Sequence, residues 1–355
     1  CMGQKQSKKE IKNKMKSSSL KVSRIQKLTE DSVKISFEIP DNERFSYDFF
    51  AGQYVTLQKE INGNMVRRAY SICSSPSEKQ ISVAIKQIPN GIFSTFANTE
   101  LKEGDFLDVF IPEGKFAYIS EIYSENLVLF AAGSGITPML SIIKVALSQT
   151  QQKILLVYGN KTPETTMFLS DIEELKKEYP DRFFIQYIYS KSHEKDAFFG
   201  RIDIAMINHL LKNKYSYIPF ERFYICGPQQ MVVLIKDYLS DNYDKKKIHT
   251  ELFVVEEVQK KVYEGTSQMK VFINGLEENF EIQRKNMILD ELLAQGIEVS
   301  YSCRGGVCSS CIGKVTEGSA EMEKNQVLSE DEVAKGYILT CQSHPLTEKL
   351  TLEFY

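Results

Sequence analysis

The segment Cys303-Arg304-Gly305-Gly306-Val307-Cys308-Ser309-Ser310-Cys311, followed much later by Leu339-Thr340-Cys341, constrains this chain more than any other. A C-x4-C-x2-C run with a distant fourth cysteine is the ligand spacing of four-thiolate [2Fe–2S] centres. Small residues between the first three cysteines let the backbone wrap a cluster closely and aim N–H groups at its sulfurs. A structural zinc site with four thiolates is the alternative, but zinc sites usually pair two short knuckles, and here Cys341 stands alone. The expected metal ligands are therefore Cys303, Cys308, Cys311 and Cys341. Seven cysteines in 355 residues are too few for a disulfide scaffold, and their clustering points to metal in a reducing compartment, hence the cytoplasm.

That site needs only the end of the chain, and the length leaves room for two further domains. Residues 20–118 contain short alternating runs such as Ser32–Ile39, Gly52–Leu57 and Ile81–Lys86, broken by turn signals, which predict an antiparallel β-barrel. Residues 125–255 alternate buried strands with helical stretches, predicting a doubly wound parallel sheet: strands at Leu127–Ala132, Ile154–Tyr158, Phe183–Tyr189 and Arg222–Cys226, helices at Pro138–Leu147, Leu169–Glu178 and Gln229–Leu239. A polar bridge, 256–268, leads to a last domain, 269–355. It reads as a hairpin of Lys270–Asn274 and Asn279–Gln283 about Gly275, a helix near Met287–Ala294, the cysteine loop and a short helix near Ser329–Ala334. Residues 1–19, Lys- and Ser-rich, read as a mobile basic tail. Within it Met2-Gly3-Gln4-Lys5-Gln6-Ser7 fits a myristoylation pattern, although Cys1 precedes the methionine and a chance match is the alternative. A membrane contact is expected only if that tail is lipidated, because the apolar stretch Leu127–Ile143 is interrupted by Gly133, Gly135 and Pro138. A net charge of -3 gives no reason to expect a nucleic-acid partner.

Two further constellations suit anionic dinucleotides. Arg68 and the Gly91-Ile92-Phe93-Ser94 turn offer a cation and free backbone donors for a diphosphate, Tyr70 a flat face for an isoalloxazine ring, and Ser71 a hydroxyl for its edge. Alone, Arg67-Arg68-Ala69-Tyr70-Ser71 reads equally as a solvated strand end. Gly133-Ser134-Gly135-Ile136-Thr137-Pro138 follows a strand and opens a helix, where backbone N–H groups favour an anion, though it lacks a third glycine and a plain strand-to-helix turn remains open. None of His193, His209, His249 and His344 sits in a ligand cluster, and Cys73 reads as a packed side chain.

The pairing of R-x-Y-S with G-x-x-S ahead of an α/β domain resembles the ferredoxin-NADP reductase superfamily. The resemblance implies FAD, with FMN as the alternative, held by Arg68, Ala69, Tyr70, Ser71, Lys86, Gly91, Phe93 and Ser94. It implies a nicotinamide site at Gly133, Gly135, Thr137 and Pro138 and at Cys226, Gly227, Pro228 and Met231, with Cys226 beside the nicotinamide. Thr250-Glu251-Leu252-Phe253 matches the segment whose acid and aromatic sit by the flavin, so Ser71, Cys226, Glu251 and Phe253 are the expected catalytic set. Ser190 and Lys191, with Arg201, stand where NADPH-using members bind the 2′-phosphate, and no acid stands there to hold a free ribose hydroxyl, so NADPH is expected rather than NADH. Residues 269–355 are similar to plant-type ferredoxins, which implies a β-grasp fold. The domain order resembles the reductase components exemplified by those of phenylacetyl-CoA epoxidase and hybrid-cluster protein. The implied activity is hydride transfer from NAD(P)H to FAD, then single electrons through [2Fe–2S] to an acceptor protein. That acceptor is an oxygenase component, with hybrid-cluster protein, a desaturase or a separate ferredoxin as alternatives. A self-contained oxygenase would need a di-iron or haem ligand set, and none is evident.

Overall fold

Alternation of apolar and polar side chains builds the first layer. In the structure, a computed structural model that describes residues 17–253, 261–273 and 275–354, strands β1 (Ser17–Thr29), β2 (Ser32–Glu38), β3 (Tyr54–Ile61), β4 (Asn64–Ser71), β5 (Ile81–Lys86) and β6 (Phe106–Phe110) form a sheet in the order β4-β3-β6-β1-β2-β5. Antiparallel pairing runs through β1–β2, β2–β5, β3–β4 and β3–β6, and a bridge between Ile72 and Val83 joins the two edges into the expected barrel. Every second side chain points inward, so Val22, Ile35, Phe37, Val55, Leu57, Val83 and Val109 fill the interior. Helix α1 (Ile92–Thr99) lies between β5 and β6 in sequence and adds Phe93 and Ala97 to that core.

The next segment changes period. β7 (Asn126–Ala132), α2 (Ile136–Gln149), β8 (Ile154–Asn160), α3 (Leu169–Glu178), β9 (Phe183–Tyr189), β10 (Phe198–Phe199), α4 (Ile204–Asn208), β11 (Phe220–Cys226), α5 (Gln229–Asn242) and β12 (Ile248–Glu251) make a parallel sheet in the order β10-β9-β8-β7-β11-β12. Leu127 to Ala131 are buried without a break, as strands covered on both faces require. The apolar stretch Leu127–Ile143 is thus a strand, a turn and a helix. Among the described residues no helix is long and apolar enough to cross a membrane. The strand order reverses between β7 and β11, and in such sheets ligands bind beyond the carboxyl ends of the strands at the reversal. Three elements lie outside the expectation from sequence. β10 has only two residues and β12 only four, too few to show a period, and α4 runs on into a π-helical turn, His209–Lys214.

Barrel and parallel sheet belong to one unit, Ser19–Glu257. Ser141 on α2 donates to Ser74 O at 2.6 Å, Lys144 pairs with Glu78 at 2.7 Å, and Tyr224 donates to Ala117 O at 3.2 Å, so polar bonds lock the two layers.

The other unit holds the residues from Val258 onward. Here β13 (Thr266–Ile273), β14 (Leu276–Gln283), α6 (Ile288–Ala294), β15 (Ile312–Glu317), β16 (Ala320–Met322), α7 (Glu330–Ala334), β17 (Tyr337–Leu339), β18 (Ser343–Pro345) and β19 (Lys349–Glu353) give a mixed sheet, β14-β13-β19-β15-β17, and a separate β16–β18 pair. β13 and β19 run parallel while their outer neighbours are antiparallel, and Ile288, Leu289 and Leu292 of α6 pack into the core, the expected β-grasp arrangement. Ser329 caps α7 in a reciprocal pair with Glu332. The expected mobile tail of residues 1–19 is shorter than the sequence suggests, since Ser17–Ser19 already open β1. The tail as far as residue 16 with its myristoylation pattern, residues 254–260, Asn274 and Tyr355 lie outside the described residues.

Candidate functional site

β4 places four of the expected residues in a row. Arg68 is exposed, with Nη1 donating to Arg67 O at 2.6 Å, and Ser71 is buried at the strand's end. The Tyr70 ring lies 5.7 Å from that of Phe93, which is almost wholly buried and so backs the tyrosine from within. Burial pushes the Tyr70 hydroxyl above its ordinary value, and the Arg68 cation opposes the shift. At the start of α1 no side chain caps the helix, which leaves amino-terminal N–H groups for an anion. Ser94 instead ties the turn itself, donating to Gly91 O at 3.2 Å and accepting from Ile88 N at 3.3 Å. A Cβ on Gly91 would meet Ser94 Oγ at 2.3 Å, so only glycine lets that turn close. Lys86 pairs with Asp31 at 3.4 Å.

On the sheet side the glycine turn after β7 presses against the Cys226-Gly227-Pro228 turn after β11. A Cβ on Gly135 would stand 2.2 Å from Cys226 O, while one on Gly133, whose φ is +54°, would meet open space. Thr137 Oγ1 donates to Ser134 O at 3.0 Å, Pro138 occupies the first turn of α2, and Met231 lies over Gly227. α5 follows Pro228 at its N-cap, also without a side-chain cap. Two further contributors stand in Tyr158-Gly159-Asn160-Lys161-Thr162, a segment after the second expected strand that resembles one of the superfamily's nicotinamide-site segments. The buried Tyr158 hydroxyl donates to Gly133 O at 3.1 Å and steadies the turn, and among the described residues the buried Asn160 amide nitrogen has no hydrogen-bond partner. The sequence marks the segment, but the direction of each side chain depends on the neighbouring strand. Ser190 and Lys191 follow β9, bonded through their N–H groups to Asn160 O and Lys161 O, and Arg201 follows β10, exposed.

Barrel and sheet meet at one carboxyl. Ser71 Oγ donates to Glu251 Oε2 at 3.1 Å, and Cys226 Sγ lies 4.0 Å from the same oxygen. Burial pushes Glu251 up to about 8, opposed by the Ser71 bond, so at neutral pH the acid keeps its proton. Burial, and then the Glu251 carboxyl, push the Cys226 thiol well up, so it stays a thiol. Phe253 is partly exposed beyond the end of β12. The barrel strand and the two sheet strands thus bring Ser71, Cys226 and Glu251 together, with free helix ends on either side suited to diphosphates, and these surroundings fit a flavin and a nicotinamide.

In the other unit Cys311 directly precedes β15 and Cys341 directly follows β17 on Thr340; the antiparallel pair Ile312↔Leu339 therefore brings the lone cysteine to the motif. Thr340 reinforces the join through N and Oγ1, both donating to Cys311 O at 3.0 Å. The loop aims backbone at sulfur: Gly305 N lies 3.3 Å from Cys303 Sγ and Cys303 N lies 3.5 Å from Cys308 Sγ. Arg304 and Gly306 adopt positive φ, and a Cβ on Gly306 would stand 2.9 Å from Lys324 O. Among the described residues no three His, Cys, Asp or Glu gather about a single ion. The loop and the β15–β17 pairing instead bring three buried thiols and the partly exposed Cys303 together from two strands, a set that suits a two-iron cluster.

Comparison with known proteins agrees with this reading. Residues 19–118 match the family described as oxidoreductase FAD-binding domain, residues 129–237 the oxidoreductase NAD-binding domain, and residues 271–346 the 2Fe-2S iron-sulfur cluster binding domain. The chain is 35% identical to a component of the 1,2-phenylacetyl-CoA epoxidase of Escherichia coli, over 95% of this chain and 97% of that one. It is 31% identical to the ferredoxin reductase component of 3-ketosteroid-9-alpha-monooxygenase of Rhodococcus rhodochrous, over 94% and 96%. Among solved structures, phthalate dioxygenase reductase matches with a TM-score of 0.61 and 25% identity over 95% of this chain and 98% of that one.

Two measurements test the geometry. Because Glu251 is raised from 4.5 to about 8 by burial, the folded chain binds the extra proton between those values. Stability should fall as pH rises from about 5 to 8, by up to about 4 kcal/mol from this group. Glu251→Gln should flatten that decline in urea unfolding; an unchanged decline assigns it elsewhere. Gly135→Ala, whose Cβ must push Cys226 O away, should raise KM for the nicotinamide by about tenfold or more. An unaltered KM would mean that the two turns need not touch.

Proposed function

The chain belongs to the oxidoreductase family that joins an FAD-binding, an NAD-binding and a 2Fe-2S iron-sulfur cluster binding domain, and from this we propose that it is the reductase component of a multicomponent oxygenase, oxidising NADPH and feeding single electrons to a separate oxygenase protein. The meeting of Ser71, Cys226 and Glu251 where β4 faces the ends of β11 and β12 carries this reading. When bound, the nicotinamide supplies electrons in pairs as hydride, the flavin takes a pair and releases electrons singly, and the iron–sulfur cluster takes one at a time.

The chain's own work is binding and orientation. Arg68 and the amino end of α1, with Gly91 and Ser94, hold the FAD diphosphate, Tyr70 lies against the ring with Phe93 behind it, and Ser71 addresses the ring edge. Lys86, spanning to Asp31, serves the barrel face at a greater remove. Gly133, Gly135, Thr137 and Pro138 hold the nicotinamide dinucleotide's diphosphate at α2. Gly227, Pro228 and Met231 shape the floor on which Cys226 offers an uncharged sulfur to the nicotinamide. Glu251, largely protonated at neutral pH, holds its proton at the carboxyl beside Ser71, and Phe253, exposed just beyond β12, offers its ring to the flavin side. Cys303, Cys308, Cys311 and Cys341 hold the cluster. Four thiols that must stay reduced to bind iron support a cytoplasmic location. The named relatives act with a phenylacetyl-CoA epoxidase and a ketosteroid monooxygenase, and an oxygenase component is accordingly the partner we assign.

The route is tested by Cys308→Ser. It should abolish NADPH-dependent reduction of cytochrome c or of the oxygenase while ferricyanide reduction survives, because the flavin site still serves an outer-sphere acceptor. Joint loss of both activities with flavin content intact would break the linear route. Ser190 and Lys191 offer a hydroxyl and an ammonium to a 2′-phosphate, and charge-assisted bonds of about 1.5–3 kcal/mol each should favour NADPH over NADH by more than about tenfold in kcat/KM. Lys191→Glu should reverse the order with kcat little changed, since the contact is remote from hydride transfer. Equal efficiencies in the unaltered protein would show that these residues merely end a strand in solvent.

A further inference from the structure

β12 carries the site's acid, yet it has only four residues, all partly exposed, and forms the edge of its sheet. Its register sets Phe223 beside Ile248, Tyr224 beside His249 and Cys226 beside Glu251. A slip of one residue would turn Glu251 to the opposite face, away from Cys226 and Ser71. Backbone pairing over four residues does little to choose between registers, so a side chain has to.

We propose that Arg222 and His249 are positioning residues whose hydrogen bond pins β12 in the register that presents Glu251 to Ser71 and Cys226. Arg222, His249, Cys226 and Glu251 share one face of the sheet, since Arg222 and Cys226 are four residues apart on β11 and His249 and Glu251 are two apart on β12. The Arg222 guanidinium is nearly buried and spans three strands. It contacts both Glu125 oxygens, at 3.2 and 3.3 Å, just before β7; it belongs to β11; and Nη1 reaches His249 Nε2 on β12 at 2.9 Å. Its plane lies 3.6 Å over the Tyr123 ring, and Tyr224 stacks on the imidazole at 4.6 Å and 16°. Lys247, at the threshold of β12, reaches Glu125 at 3.2 Å and Glu221 at 2.6 Å.

The chemistry of the bond is one-directional. Arginine only donates, so His249 Nε2 must accept and the imidazole carries its single proton on Nδ1. Burial and then the Arg222 cation push His249 down to about 4, which keeps the ring neutral. Burial acts to raise Glu125, but bonds from Arg222 and Lys247 hold its carboxyl at about 2, so the arginine keeps an anion as its second anchor. The fork is thus fixed at Glu125 and Tyr123, and its remaining N–H locates β12.

The catalytic importance of Glu251 rests on the reading of the site given above; its placement does not. The test therefore reads placement first, in the intact flavin- and cluster-loaded protein. Urea unfolding at about pH 5 and pH 8 reports burial of the Glu251 carboxyl. His249→Leu and His249→Gln both remove the imidazole's own titration, so each is compared with its Glu251→Gln double. In the His249→Leu background Glu251→Gln should no longer change the difference in stability between the two pH values, whereas in the His249→Gln background, which keeps an acceptor, it should change it as in the unaltered protein. Anaerobic stopped-flow with NADPH gives the second readout. His249→Leu should slow flavin reduction by about tenfold with the Kd for NADPH within about twofold, and adding it to Glu251→Gln should slow the reaction no further. An effect of Glu251→Gln in the His249→Leu background as large as in the unaltered protein, or rate losses that multiply in the double variant, would overturn the pin. Loss of that effect together with a normal rate in Glu251→Gln would leave the pin standing and remove Glu251 from the hydride step.

Discussion

The hydrogen bond from Ser71 to Glu251 closes the angle between the barrel and the parallel sheet, and the rest of the first unit is arranged so that it can form. A carboxyl taken out of water is costly unless it is neutral or paired. Glu251 has a hydroxyl and a thiol for company and, among the described residues, no cation paired with it, so it is kept as an acid. Such a group stays in place only if three separate things hold at once. β4 must end at Ser71, β12 must keep step with β11, and α2 must be bound to the barrel, as Ser141 and Lys144 bind it. Hydride transfer needs donor and acceptor held to within a fraction of an ångström, and a junction locked on three sides supplies that without any group having to react.

What the sequence makes legible follows from how local each requirement is. Gly91 is forced by contacts within its own turn and Gly135 by the facing turn after β11, and each stands in a short run whose spacing marks a phosphate turn. The strands of the sheet are legible because continuous burial leaves long apolar runs, whereas β10 and β12 are short edge pieces with no period to read. Arg222, Glu125 and His249 are silent for a different reason, and Tyr158 and Asn160, though their segment resembles one of the superfamily's, do not show their direction. Each acts through a partner that only the sheet brings close, and in isolation an arginine ahead of a buried strand or a histidine in a polar segment carries no sign of direction. Phe93 shows the same limit from the other side: its place beside Gly91 suggests ligand contact, and its burial behind Tyr70 makes it the tyrosine's support.

The iron–sulfur unit answers the same problem with pairing. Three cysteines lie on one loop and need only a short backbone excursion, with Arg304 and Gly306 in left-handed conformations, to turn N–H groups toward sulfur. The fourth comes from across the sheet, and its arrival depends on β15 and β17 pairing in a single register, reinforced by Thr340 on Cys311 O. Gln342 completes the tie by donating to Arg304 O at 2.9 Å, so the residue after the last cysteine holds the loop that carries the first.

Both units therefore place their reactive groups by the register of short strands, and they guard that register differently. In the iron–sulfur unit the metal itself, once bound, would link β15 to β17 at the end where Ile312 pairs with Leu339, so binding free energy becomes folding free energy there. In the flavin and nicotinamide unit the acid on β12 is linked to nothing covalent, and a ligand resting on its surface cannot choose between two registers of an exposed edge strand. A guanidinium anchored on Glu125 and Tyr123 can, because its N–H groups are fixed in a planar fork and an imidazole displaced by one residue would leave one of them buried without an acceptor. The cost of that orphaned donor is what separates the working register from its neighbour, and it is set at the opposite end of the strands from the chemistry it serves.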